Sequence, residues 1–439
     1  MNPSINARLH PANKKINHYR MKAIYSLLVL CAVMTAGCMK YEEAPLVESP
    51  SYIRVYNNLP QIGNALYAGQ ATPFLTLLVD PETDGQGVPS DAGIVGDFLA
   101  TRQLFSLSYP INAANNDISG SVLNGRGGST ASLLPSNYEY PGNAHVLTAP
   151  AINGFDLSAW AQIPSGKHRI MFIVRPQNNT PFKNLSALIR GNILIDTTVE
   201  LARGEVYTLH AVARDLDEKK YGLYIRRESF VHETFDENKI YTGFVNLSGN
   251  MPKAIGAGYG NVYPDRPAIY CTYYMPSVVS NSNGPQLNIL KGYDKTYFTT
   301  LRQNMDTVIH YLELPMLPRD SFFLQNVIKE YAPDGAIVQG GPLNPSGRGI
   351  GTLPSFAFHF ADAANPTRLT TLFSAANPRT FNNFDPVNSA ATSFTPNLNL
   401  IVNSNNVNRL YSTLNIMEIV YDRVYLMQVQ RGFNTVPLN

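Results

Sequence analysis

The chain has 439 residues, of which 44% are hydrophobic and only 15% charged, so it carries ample material for folded cores and is neither disordered nor low-complexity. Its formal net charge is +2, but Arg8, Lys14, Lys15, Arg20 and Lys22 all precede residue 38 in a stretch without a single acid. Beyond that stretch 29 basic side chains face 32 acidic ones, a net of −3, which excludes an electrostatic footprint for nucleic acid.

Met21-Lys22 opens a run of about 14 mostly apolar residues that ends in small residues before Cys38. The run is shorter than the roughly 20 residues a membrane span needs and lacks amphipathic alternation, so 1–37 reads as a secretory signal peptide. Residues 1–20 are polar and patternless and read as lying upstream of the true start codon. Thr35-Ala36-Gly37-Cys38 resembles a bacterial lipobox: small residues let the backbone enter a peptidase groove, and the Cys38 thiol takes the lipid. Thr35 replaces the usual Leu. Residues 38–50, with Pro45 and Pro50, read as an extended lipidated tether, and Lys40-Tyr41-Glu42-Glu43 resembles a surface-export signal. With Cys31 removed and Cys38 lipidated, only Cys271 remains, and no internal disulfide can form.

Strand signals dominate after Ser51. Tyr52–Tyr56 is β-branched and aromatic and ends in the turn residues Asn57-Asn58-Leu59-Pro60. Phe74–Val79, His168–Val174, Val206–Val212 and Tyr221–Arg226 follow, separated by Gly- and Pro-containing turns. Short strands at this spacing predict an all-β fold of two tandem β-sandwich (immunoglobulin-like) domains. The order of elements repeats: residues 53–60 are echoed at 242–252, and Thr198–Leu201 with Val206–Leu209 by Leu414–Met417 with Val424–Val429. The expected domains are 51–235 and 236–439, joined near Ser229–Lys239. Each carries a long loop insertion, about 108–160 and 253–350. A short helix is expected in the second, where Asp320-Ser321 caps FFLQNVIKEY and Pro333-Asp334-Gly335 stops it.

Few residues suggest chemistry. Asp80, Glu82, Asp84 and Asp91 have the spacing of a calcium loop, with oxygens at positions 1, 3, 5 and 12. Pro81 and the lack of flanking helices oppose that reading, and Asp84-Gly85 after an apolar strand reads as a hairpin turn with Gly85 at positive φ. Tyr259, Tyr263, Tyr273 and Tyr274 belong to a tyrosine-rich stretch that could present flat amphipathic contact area; core and edge packing is the alternative, as for most tyrosines of β-proteins. Cys271 reads as a buried strand residue. Gly347, Gly349 and Gly351 have the wrong spacing for a dinucleotide loop. The mature histidines show no zinc spacing, and no Ser/His/Asp set follows from the order of residues. His210 and His359 read as satisfied sheet histidines. No catalytic residue and no cofactor is expected.

The Arg- and Asn-bearing first strand with its Pro turn, Pro164-Ser165-Gly166-Lys167 before an alternating strand, and Gly204-Glu205-Val206-Tyr207-Thr208 resemble an uncharacterised β-sandwich repeat domain of bacterial extracellular lipoproteins. The second copy keeps only Val424-Tyr425 of the last motif. The resemblance implies the sandwich fold and lends no activity. The expected protein is a non-enzymatic lipoprotein of the outer membrane, at the cell surface, held by its lipid and acting as a binding or adhesion module for a protein or glycan ligand. The alternatives are a fimbrillin-like pilus subunit and a glycan-binding accessory lipoprotein of a polysaccharide-uptake system.

Overall fold

The computed structural model describes residues 47–430 apart from 60–73, 108–144, 251–265, 316–326, 343–354, 375–391 and shorter breaks of up to five residues. In the first half the described strands are β1 (Pro50–Asn57), β2 (Phe74–Thr83), β3 (Pro89–Leu99), β4 (Phe105–Leu107), β5 (His145–Val146), β6 (Ala151–Ile152), β7 (Phe155–Asp156), β8 (Ala161–Pro164), β9 (Gly166–Arg175), β10 (Ile193–Leu201), β11 (Val206–Asp215) and β12 (Lys220–Arg227). In the second half they are β13 (Lys239–Asn246), β14 (Pro267–Asn281), β15 (Gly284–Ile289), β16 (Thr296–Thr300), β17 (Leu312–Pro315), β18 (Val327–Tyr331), β19 (Ile337–Pro342), β20 (Ser355–Asp362), β21 (Leu369–Ser374), β22 (Thr392–Thr395), β23 (Leu400–Ser404), β24 (Val407–Tyr411), β25 (Thr413–Val420) and β26 (Arg423–Gln430). The fold is all-β and sandwich-like, as the strand spacing predicts.

In the first half, β1 pairs in parallel with β11 and antiparallel with β8. The resulting sheet, β12-β11-β1-β8-β5, faces a second one ordered β10-β9-β2-β3. Alternation along each strand builds the core between them. Ile53 and Val55 of β1 and Leu209 and Ala211 of β11 meet Leu75, Leu77, Ile170 and Phe172. The second half repeats the plan: β13 pairs in parallel with β25 and antiparallel with β17. Its two sheets run β17-β13-β25-β26-β4 and β15-β14-β20-β21-β22. Ile240, Phe244, Ile269, Phe358, Met417 and Ile419 fill the space between them.

The repeat holds at the level of single residues. Asn57 is in register with Ala211, and Asn246 with Ile419. Each asparagine side chain accepts an N–H two residues on, from Leu59 or Ser248, at 3.2 Å. The next N–H, of Asn58 or Leu247, reaches the carbonyl of Ala211 or Ile419 at 2.9 Å. From this register the counterpart of β25 is β11 and that of β26 is β12, one strand later than the sequence echo at Thr198–Leu201 suggests. Successive apolar hairpins look alike in sequence; the parallel pairing with the first strand separates them.

Three further expectations are corrected. The described part of 253–350 is largely framework: it contains β14, which pairs with β15, β16 and β20. The expected helix gives way to a strand at Val327–Tyr331, which pairs with Ile337–Pro342. Val327 and Ile328 are β-branched, and Pro333-Asp334-Gly335, taken as a helix stop, falls between the two strands of a hairpin. In the β2–β3 connection the positive φ of +80° belongs to Gly87, and Gly85 is not among the positive-φ residues.

The two inner sheets, β12-β11-β1-β8-β5 and β17-β13-β25-β26-β4, turn their other faces towards each other. Tyr56, Trp160, Val206 and Val212 of the first half share one apolar cluster with Tyr241, Val245, Leu414 and Ile416 of the second. Phe230, Val231 and Phe235 from the connection between the halves join it. Sheets covered on both faces need apolar strands without a wet side. That explains why all eight residues of Thr413–Val420 are buried. The first half also lends a strand: β4 adds in parallel to the edge of β26.

Candidate functional site

The two covered faces carry charge as well as apolar side chains. In β1, Ile53 and Val55 point into the sandwich, so Arg54 and Tyr56 point out of it. The outward positions of β11 and β12 add Thr208, His210 and Arg226. In an isolated sandwich these would be solvent-facing. Here β25 supplies Glu418 on the opposing face, and Arg54, His210, Arg226, Glu228 and Glu418 are all 0–1% exposed.

Glu418 is the centre of the group. Arg102, in the segment after β3, binds its Oε2, and Arg226 Nη2 lies 2.5 Å from its Oε1. His210 Nε2 stands 3.8 Å from the same oxygen. Arg226 also donates its Nε–H to Glu228 Oε1 at 3.0 Å, and Thr208 donates its hydroxyl to that oxygen. Asn58 Nδ2 donates to His210 Nδ1 at 3.1 Å, which leaves the imidazole proton on the nitrogen facing Glu418. Rings complete the shell: the Arg102 guanidinium lies 3.7 Å over the Tyr56 ring and 5.0 Å from that of Tyr425. Arg54 lies 4.8 Å over Trp160.

Burial pushes the Glu418 pKa up, but the guanidiniums of Arg102 and Arg226 outweigh it and hold the carboxyl well below its ordinary range. Burial also lowers the His210 pKa well below 6.5; Glu418 opposes the shift, and the guanidiniums of Arg226, Arg102 and Arg54 reinforce it. Burial raises the pKa of Glu228 against the pull of Arg226 and Thr208. The group therefore holds an ionised Glu418, a neutral imidazole and permanent guanidinium charge without access to solvent.

Magnitudes decide what such a group does. A well-buried aromatic or aliphatic side chain contributes about 1.5–3 kcal/mol, and the shared apolar cluster contains many. A buried ion pair contributes near zero net, because desolvation offsets attraction, yet breaking one costs about 3–5 kcal/mol. The apolar cluster thus supplies cohesion, and the ions make the match between the two faces exacting. Outside this group, Glu205 accepts from Arg227 at 2.9 and 2.6 Å and faces His232 at 2.8 Å, fastening the connection between the halves to the start of β11.

The residues singled out from sequence lie elsewhere. Cys38, Tyr259 and Tyr263 fall outside the described residues. Asp80 binds His168 Nδ1 at 2.7 Å and accepts the Arg169 N–H at 3.0 Å. Asp84 Oδ1 accepts the N–H groups of Gln86 and Val88, both at 2.9 Å, and closes the hairpin loop. Asp91 takes the ammonium of Lys183 at 2.9 Å, which lowers its pKa. Glu82 stands opposite Asp91 across β2 and β3. The carboxylates of Asp80, Asp84 and Asp91 serve separate partners, and among the described residues no three metal-binding side chains converge.

Tyr273 is a correction. It is 1% exposed, packs on Phe356 with ring centroids 4.6 Å apart, and donates its hydroxyl to the Pro315 carbonyl. In β14 the odd positions Ile269, Cys271 and Tyr273 face the core. Tyr274 takes its backbone place between Ile289 and Ser355. Cys271 is buried as expected, and burial pushes its thiol pKa far up. His359 lies 3.0 Å from Thr272 Oγ1. Sequence reasoning missed Arg54, Arg102, Arg226, Glu228 and Glu418. The available signal was a lone charge inside runs apolar on both faces, as in TLNIMEIV.

Compared with models of known families and with curated proteins, the chain matches none.

Proposed function

We propose that the chain is a non-enzymatic outer-membrane lipoprotein, held by a lipid on Cys38, that presents its two sandwiches at the cell surface as one stiff binding or adhesion body. The observation that carries this reading is where the strongly shifted acid–base groups sit. Glu418, His210 and Arg226 are buried between the sandwiches, and that placement supports a role in joining the halves. Perturbed groups mark active sites when they line a cleft; sealed in an interface they serve structure.

The anchor reading rests on Thr35–Cys38. Eleven residues, Met39 to Ser49, separate the lipidated cysteine from the start of β1, a length of chain that can reach about 40 Å at most. A lipoprotein repeat of the kind its motifs resemble fits the same picture. The pilus reading requires release of the first strand. That strand is central, paired on both edges, and carries Arg54 into the sealed cluster, which favours the binding module.

The test is Cys38→Ala with metabolic palmitate labelling, followed by protease shaving of intact cells. Labelling and membrane retention of the wild type alone, with the body cut from outside, support the reading. An unlabelled wild type, or one shielded in intact cells, overturns the anchor or the surface placement. A ladder of covalently stable oligomers on gels points to the pilus subunit instead.

A further inference from the structure

Residues at the same position of the two repeats touch each other. The register that equates Asn57 with Asn246 equates His210 with Glu418, Ala213 with Tyr421 and Arg226 with Met427. His210 Nε2 stands 3.8 Å from Glu418 Oε1. Tyr421 donates its hydroxyl to the Ala213 carbonyl at 2.7 Å. Arg226 Nη2 lies 3.6 Å from Met427 Sδ. Equivalent positions meet in this way across a two-fold axis, so the repeats pack as the two subunits of an isologous dimer would, joined into one chain.

Such an interface is open to error. A face built to meet its own likeness can equally meet the same repeat of another chain. The apolar positions do not prevent it: Val206 corresponds to Leu414, and Tyr224 to Tyr425. The charged positions differ. The first repeat carries Arg54, His210, Arg226 and Glu228 where the second carries Gly243, Glu418, Met427 and Val429.

We propose that these unlike charges make the two repeats recognise each other and reject a second copy of themselves. Two second repeats brought together place Glu418 against Glu418 in an apolar seam, with Gly243 and Met427 where the guanidiniums should be. Two first repeats place His210 against His210 and leave Arg102 and Arg226 without the carboxylate of Glu418. Buried like charges and unpaired charges are strongly unfavourable, and such repulsion is how a self-complementary surface acquires one partner. The partner of each repeat is its sister in the same chain.

The test uses the full chain in detergent. Wild type and Arg102→Met/Arg226→Met/Glu228→Val/Glu418→Leu are unfolded in urea and refolded over a range of protein concentrations, and mass is read by light scattering. Two of these changes install what the second repeat already has. Dimers that exchange halves but keep unlike pairing form equally in both proteins, so any excess in the variant reports like-with-like pairing. At least a tenfold excess of dimer is expected. The double variant Arg102→Met/Glu418→Leu keeps the Arg226–Glu228 pair intact and serves if the fourfold variant does not refold; the same excess is expected. A dimer fraction equal to wild type at every concentration overturns the proposal.

Discussion

His210 and Glu418 occupy the same position in the two repeats and face each other across the seam at 3.8 Å, one neutral and one ionised. Around that contact the two halves become a single object: two sandwiches, each with its own core, joined by a third apolar cluster that neither half can cover alone.

Glu418→Gln keeps size and shape and removes one charge. Arg102 and Arg226 then remain buried without their shared carboxylate. We expect a loss of about 3–5 kcal/mol in urea unfolding, with the midpoint moving and the slope nearly constant. A loss under about 1 kcal/mol contradicts the ionised, buried placement.

Stability should fall on mild acidification. The unfolded chain takes up a proton on His210 near its ordinary pKa of 6.5, whereas the folded chain resists it. The contribution is fully present above that value and is lost as pH falls below it. Glu418, held low when folded, adds a second loss below about its ordinary 4.5. Glu228, raised when folded, works the other way. Urea midpoints from pH 7.5 to 5 should decline in wild type and flatten in His210→Asn. Parallel slopes for the two proteins count against a neutral buried imidazole.

Backbone proximity singles out one glycine in the seam. A Cβ on Gly249 would lie 2.0 Å from the Arg214 carbonyl oxygen. Backbone cannot step aside as a flexible side chain can, so Gly249→Ala should cost about 2 kcal/mol or more in thermal unfolding. A neutral result contradicts the close approach.

The β2–β3 hairpin offers a paired comparison. A Cβ at Gly85 meets nothing within 4 Å, so Gly85→Ala should be nearly silent. Gly87, at φ +80°, should lose about 1 kcal/mol on the same change. Because Asp80, Asp84 and Asp91 already have separate partners, millimolar calcium should leave the melting temperature unchanged. A rise of several degrees, abolished in Asp80→Ala/Asp84→Ala, contradicts that reading.

Strand content and the tandem repeat were legible because they rest on local signals: β-branched runs, turn residues and the Asn57/Asn246 echo. The helix expected at 322–331 failed over Val327–Tyr331, which found a partner strand in Ile337–Pro342, a pairing that no local pattern announces. Tyr273 was misplaced because the face of a strand is fixed by its neighbours across the sheet. The pairing within the ionic group was hidden for a deeper reason. Arg102 and Glu418 are 316 residues apart, and only the packing of one repeat on the other makes Arg54, Arg226 and Glu418 interior. Read along the chain, a lone charge in an apolar run such as TLNIMEIV can mark Glu418 as unusual, but it names none of its partners.

Hydrogen exchange by mass spectrometry on wild type and Glu418→Gln decides whether the seam joins the halves. If it does, the substitution in β25 raises exchange in β1 and β11, nearly 200 residues or more away in sequence, as much as in β13 and β25. Faster exchange confined to the second half, with β1 and β11 as protected as in wild type, contradicts the account.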